Sequence, residues 1–265
     1  MVTDPLKRAY DRVHVSIPYR MLVADYLPRV LERGMHVELG MDSLSLDAFD
    51  SEHMRRTAEE FHARGRRLSI HAPFLDLSPG SLDDWVLDVT KRRYEQLLER
   101  VGLFRPVTVV LHTGWDRLRY AFFEELWFER AAGTVDWFAR RLAEECDAVL
   151  TVENVFERTP SMIRRLFDEL ANDRVGFCFD TGHMNAFSTT TLGDWLSELG
   201  PDLREIHVHD NTGAADEHLA VGRGDVDWPR LFEYLHDNAM EPVITCEAHT
   251  PEGVRESMEF LAPWL

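Results

Sequence analysis

Lysine is almost missing from this chain of 265 residues: of its 29 basic residues only Lys7 and Lys91 are lysines, and the formal net charge is −18. Such a surface repels nucleic acid and anionic membranes unless a local basic patch compensates. Long apolar runs are missing too, and no stretch reaches the about 18 apolar residues that a membrane span requires. The segment Met1–Tyr10 is polar, with Asp4, Lys7 and Arg8, and lacks the apolar centre of a secretory signal. Cysteine is scarce and odd in number: Cys146, Cys178 and Cys246. Reduced, buried thiols in a cytoplasmic protein are the expectation, with metal-binding thiolate as the minor alternative. Low-complexity tracts and Pro/Gly-rich linkers are absent as well, so residues 1–265 are expected to form one domain, as monomer or homodimer.

What is present is an alternation. Short β-branched apolar runs occur at Val13–Ile17, His36–Leu39, Leu68–His71, Val107–His112, Val149–Glu153, Val175–Asp180, Glu205–His209 and Val243–Glu247. Longer amphipathic stretches separate them: 24–33, 51–64, 82–101, 122–145, 161–170, 192–199, 228–237 and 253–261. Ser81–Asp84 reads as a capped helix start, and Arg64-Gly65 and Val101-Gly102 as helix exits. Eight such alternations at this length predict a closed (β/α)8 TIM barrel of class α/β. The alternative, an open doubly wound sheet, would carry a glycine-rich loop after the first strand, where this chain has Ile17-Pro18-Tyr19-Arg20.

In such a barrel the chemistry lies where strands end. Six successive strand ends here carry donors: His71, His112, Glu153, Asp180 with His183, His207 followed by Asp216 and His218, and Glu247. A charged group closing an apolar run must be paired or metal-bound if buried. Nine nitrogen and oxygen donors without thiolate favour Zn²⁺, with Mn²⁺, Fe²⁺ or Co²⁺ as alternatives, at one to three divalent ions per chain. Asp216 and His218 are expected in an extended loop, aimed the same way, and Asp180 and His183 on either side of a glycine turn. Glu153, Asp180, Asp216 and Glu247 carry −4; three divalent ions would leave +2 and attract a phosphate despite the acidic surface. His209, Arg223, Trp115, Phe74 and Glu38 are candidates to contact substrate.

Several motifs together resemble one superfamily. They are His71-Ala72-Pro73, Leu111-His112-Thr113-Gly114, Val152-Glu153-Asn154, Phe179-Asp180-Thr181-Gly182-His183, His207 three before Asp210, Asp216-x-His218, Gly222-x-Gly224, and Glu247. The chain is similar, over about Val13 to Leu261, to the xylose isomerase-like barrels, which include sugar isomerases and epimerases and the endonuclease IV enzymes. In the endonuclease branch the resemblance implies three zinc ions: one on His71, His112 and Glu153, one on Glu153, Asp180, His207 and Glu247, one on His183, Asp216 and His218. In the isomerase branch it implies one ion on Glu153, Asp180, His207 and Glu247, with the two glutamates as catalytic proton shuttles. The Asp216-x-His218 pair tilts toward the multinuclear branch.

Departures from the endonuclease pattern bear on DNA. Asp76 stands where an asparagine is usual, Gly182 where a cysteine is usual, and Asn211-Thr212 replaces a Ser-Lys pair. The arginine clusters Arg55-Arg56, Arg64 to Arg67, Arg92-Arg93, Arg140-Arg141 and Arg164-Arg165 are expected away from the strand ends. The first expectation is therefore hydrolysis of a small-molecule phosphoester, of sugar-phosphate or nucleotide type. The alternative is sugar or sugar-phosphate isomerisation or epimerisation, and cleavage of abasic DNA ranks below both.

Overall fold

A computed structural model describes residues 5–265; Met1–Asp4, part of the polar N-terminal segment considered above, lie outside the described residues. Eight parallel strands close into one barrel in sequence order: β1 Val13–Pro18, β2 His36–Gly40, β3 Leu68–His71, β4 Thr108–His112, β5 Val149–Glu153, β6 Val175–Asp180, β7 Leu203–Val208 and β8 Val243–Cys246. The open-sheet alternative is thereby excluded. β1 pairs with β8 through Val13 to Ile244, which closes the ring. β7 begins two residues earlier than expected because the β6–β7 register shifts between Phe177 and Cys178.

Alternation along each strand divides the side chains into two environments. Val13, Val15, Val37, Leu39, Val109, Leu111, Phe177, Phe179 and Ile244 join the hydrophobic core between sheet and helices. Their neighbours point inward and are largely polar and buried: His14, Glu38, Ser69, Thr108, Thr151, Glu205 and Thr245. His14 Nδ1 meets Ser69 Oγ at 2.8 Å across the barrel, and Thr245 donates to Glu205 Oε1 at 2.8 Å.

Helix boundaries follow local chemistry, with two corrections. Gly102 does not end its helix, which runs Asp84–Phe104 and stops at Arg105 (φ 44°). Pro106 disfavours helical geometry in the residue before it, whereas Gly102 is a close-approach site where a Cβ would lie 3.1 Å from Glu145 O. The helix expected over 24–33 starts earlier, at Tyr19, and contains a π-turn segment at Leu22–Tyr26 just before Pro28, whose missing N–H breaks the regular ladder. Asp83 caps the Asp84–Phe104 helix, accepting from Trp85 N–H at 2.8 Å. Among the described residues no helix is long and apolar enough to cross a membrane.

Candidate metal centre

The nine sequence-predicted donors converge at the C-terminal mouth of the barrel. His71 ends β3, His112 ends β4, Glu153 ends β5 and Asp180 ends β6. His71 Nε2 and His112 Nε2 lie 3.1 Å apart and reach Glu153 Oε2 at 3.1 and 3.0 Å. His207 Nδ1 faces three carboxylates: Glu247 Oε1 at 3.3 Å, Glu153 Oε1 at 3.6 Å and Asp180 Oδ2 at 3.9 Å. Asp216 Oδ2 lies between His183 Nε2 at 3.4 Å and His218 Nε2 at 3.1 Å. Three donor groups thus sit side by side, and Glu153 belongs to the first two.

Two local expectations change. Asp180 and His183 do not flank a turn: Thr181–Phe187 is a helix capped by Asp180, whose Oδ1 accepts from His183 N–H at 2.6 Å. Gly182 matters there because a Cβ would collide with the His209 ring. Nor is the Asp216-x-His218 segment extended. His218 is left-handed (φ 49°), and this swings its ring onto Asp216 and into a stack with His209 at 3.9 Å and His249 at 4.0 Å. The loop is shaped by Asp210, whose carboxylate accepts from Asn211 N–H, Gly222 N–H, Val226 N–H and Trp228 Nε1–H at 2.8–3.2 Å. This accounts for the Gly222-x-Gly224 motif: Gly222 has φ 85°, and a Cβ on Gly224 would strike Asp210 and Asn211.

The donor set fits divalent cations. A ligating imidazole must present a lone pair, fixed by a hydrogen bond at its other nitrogen. His71 Nδ1 donates to Ala72 O at 2.9 Å and His218 Nδ1 to Glu247 O at 3.0 Å; His183 Nδ1 is shared between Asn154 O at 3.0 Å and Glu153 Oε1 at 3.1 Å. Each leaves Nε2 for the centre. His207 Nδ1 and Asp216 Oδ1 are buried without an aligned hydrogen-bond partner. Bare electrostatics point the same way, since the carboxylates demand positive charge. Burial pulls the His71 pKa down, but the hydrogen bond and charge of Glu153 outweigh it and raise it to about 9. Glu153 itself, pushed up by burial, is held far below the usual range by His112 and His207. Cys178, beside His207, has its thiol pKa driven up by burial and joins Glu153 and His207 in a further group of possible ligands.

A cavity of about 1020 Å³ opens onto this cluster, lined near the donors by Phe74, Trp115, Phe156 and His249. Of the expected substrate contacts, Phe74 and Trp115 line it. His209 lies outside its lining, buried, with Nε2 3.1 Å from both oxygens of Asp180. Arg223 is an exposed partner of Glu256, at 3.0 Å. Glu38 is fully buried beneath the donors, with no face on the cavity.

Other residues had no strong sequence signal. Asn154 holds Asp180 by two backbone hydrogen bonds of 2.9 Å, and buried Glu157 accepts from Thr113. His249, three residues past the end of β8, stacks on the His218 ring. The expected arginine clusters do lie off the cavity lining, yet isolated Arg29, Arg33 and Arg119 line it.

Known proteins share this architecture. A family model described as xylose isomerase-like TIM barrel matches residues 35–264. The uncharacterized protein MJ1311 of Methanocaldococcus jannaschii is 27% identical over 209 residues, covering 74% of this chain and 69% of that protein. A probable endonuclease 4 of Mycobacterium ulcerans is 24% identical over 213 residues, 78% and 82% of the two chains. Among solved structures, a D-tagatose 3-epimerase-like protein superimposes with TM-score 0.83 at 20% identity, covering 96% of each chain. The TTHB071 protein of Thermus thermophilus, soaked with ZnCl2, gives TM-score 0.79 at 26% identity over 96% and 97%.

Proposed function

Because the chain belongs to the xylose isomerase-like TIM barrel family, we propose that its donor cluster holds more than one divalent cation and hydrolyses a phosphoester in a small molecule. The observation that carries this is the third donor group. A one-ion isomerase uses a single set of ligands, whereas here His183, His209, Asp216 and His218 bring four donor atoms within 4.8 Å of one another, beside the His71–His112–Glu153 group. Bound cations would supply Lewis acidity and positive charge toward a phosphoryl oxygen.

The chain's own groups would do the rest. Glu153, between two donor groups, fixes their spacing through Oε1 and Oε2. Glu247 Oε1 faces His207 Nδ1 together with Glu153 and Asp180 and would hold a cation there, which leaves Oε2 to accept a proton from an attacking water. Phe74, Trp115 and Phe156 would give the mouth apolar walls against which a substrate packs. Arg119, which lines the cavity with its guanidinium over the Tyr120 ring, favours an anionic substrate.

The test is to purify the chain without chelator, measure metal per chain, and assay phosphate release from nucleotides and sugar phosphates. Two to three ions with phosphate release support the proposal; one ion and no release from any of them would end it. The second reading, sugar epimerisation on one ion, is favoured by Glu153 and Glu247 both facing His207 Nδ1, and by likeness to solved epimerases. A polarimetric panel of ketoses distinguishes it.

A further inference from the structure

His207 is oriented the opposite way from its fellow donors. His71, His183 and His218 turn Nδ1 toward backbone carbonyls and offer Nε2 to the centre. His207 instead offers Nδ1 to Glu247, Glu153 and Asp180, and sends Nε2 down into the barrel, where Glu38 Oε2 lies 3.2 Å away. No backbone carbonyl meets that nitrogen; a carboxylate does.

We infer that Glu38 is a positioning residue: by accepting the Nε2–H of His207 it fixes the tautomer that presents Nδ1 to the cation. Glu38 sits mid-strand on β2, fully buried, so its charge must be matched locally. Two alternatives fail on geometry. Glu38 does not line the cavity and so does not touch a substrate. Glu38, Glu205 and His207 do bring three ligand atoms within 4.8 Å. A cation there, however, would take Nε2 of His207 and leave Nδ1 protonated against the upper donors. Glu205 is already engaged by Thr245 at 2.8 Å and stands 4.0 Å from His207 Nε2, so Glu38 is the nearer partner. A carboxylate in this role also raises the basicity of the imidazole it holds, which a carbonyl does less.

The inference rests on His207 being a metal ligand, and its test separates the two. The metal-stripped full chain is titrated with zinc against a chromogenic chelator, for wild type, Glu38→Gln and Glu38→Leu. Zinc-loaded protein labelled with ¹⁵N-histidine then reports which His207 nitrogen carries the proton, with His207→Asn assigning the signal. Protonated Nε2 is expected in wild type. Glu38→Leu should weaken zinc by about 10- to 100-fold, the usual range for losing such a partner. Glu38→Gln, whose amide oxygen still accepts, should recover most of the loss. A merely packing role would not divide Gln from Leu in this way.

Zinc bound through Nε2 in wild type, or equal zinc affinity at all three residues, overturns the inference while leaving the metal centre standing. Failure of wild type to take up zinc overturns both. If Glu38→Leu does not fold, the wild-type spectrum still decides.

Discussion

Along β6, Phe177 and Phe179 point outward into the helical shell while Cys178 and Asp180 point into the barrel, and neighbouring strands repeat the division. Outside, Trp195 from the Leu192–Leu199 helix stacks on both phenylalanines at 6.1 Å. Inside, hydrogen bonds replace packing: His14 to Ser69, Thr245 to Glu205, His207 to Glu38. Barrels of this kind normally fill their interior with branched apolar side chains. Here apolar burial is concentrated on the outer face, and the inner face serves as a polar pedestal for the donors at its top. One set of strands therefore carries stability on one side and chemistry on the other.

The sharpest way to break this division is on its outer side. Trp195→Ala is expected to cost about 3–5 kcal/mol, as large aromatic deletions in cores do, measured by urea unfolding. Zinc affinity of the folded fraction should stay put; a joint loss would mean the two faces are coupled. Next comes the inner rim. Glu153→Ala strands His71 and His112 Nε2 without their shared oxygen and should weaken metal binding by more than about 100-fold, beyond the loss expected for an outer partner, read by chelator competition. Retention of full stoichiometry would contradict the bridging role.

A smaller effect is expected from pH on chelator-treated protein. Burial pulls His71 and His218 down, but neighbouring carboxylates outweigh it and raise each to about 9. Glu205 is raised to about 8 by burial and by Glu38. Groups with raised folded pKa stabilise below their unfolded pKa and lose that contribution as pH climbs through the folded value. The histidines thus lose theirs between about 6.5 and 9 and Glu205 between about 4.5 and 8. Tm should fall across pH 6.5 to 9 by at least ~2–4 °C, the equivalent of about 1 kcal/mol at this size, and zinc should flatten the slope. A Tm that rises with pH would mean these groups are not paired as drawn. The smallest effect belongs to Arg223→Ala, which removes an exposed ion pair with Glu256 and should cost under about 1 kcal/mol without changing zinc affinity.

Much of the fold was legible because strand ends announce themselves: β-branched runs closed by His71, His112, Glu153 and Asp180 mark both the element and its top. Helix exits were less legible. At Val101-Gly102 a glycine drew attention, while Pro106 decided where the helix stopped. The convergence of His71, His112, Glu153 and Asp180 was readable too, since each closes its strand, whereas His183, Asp216 and His218 come from a helix and a loop. The donors' partners were not readable. Glu38 looked like a substrate contact because it lies near the end of β2, but the β2–β3 register pairs Gly40 with His71 and Glu38 with Ser69, which puts Glu38 two residues below the mouth. Arg119 and His249 carry no periodic signal; a loop's path alone brings them to the cavity.

Composition, alternation and the residues at six strand ends were enough by themselves to determine a closed barrel with a ring of nitrogen and oxygen donors, because period-two patterning and local charge are properties of neighbours in sequence. Which nitrogen of each histidine faces the centre, and which group holds the other, was decided only by tertiary structure. Those choices depend on contacts such as the one between β2 and β7, where Glu38 and His207, 169 positions apart, are brought to 3.2 Å.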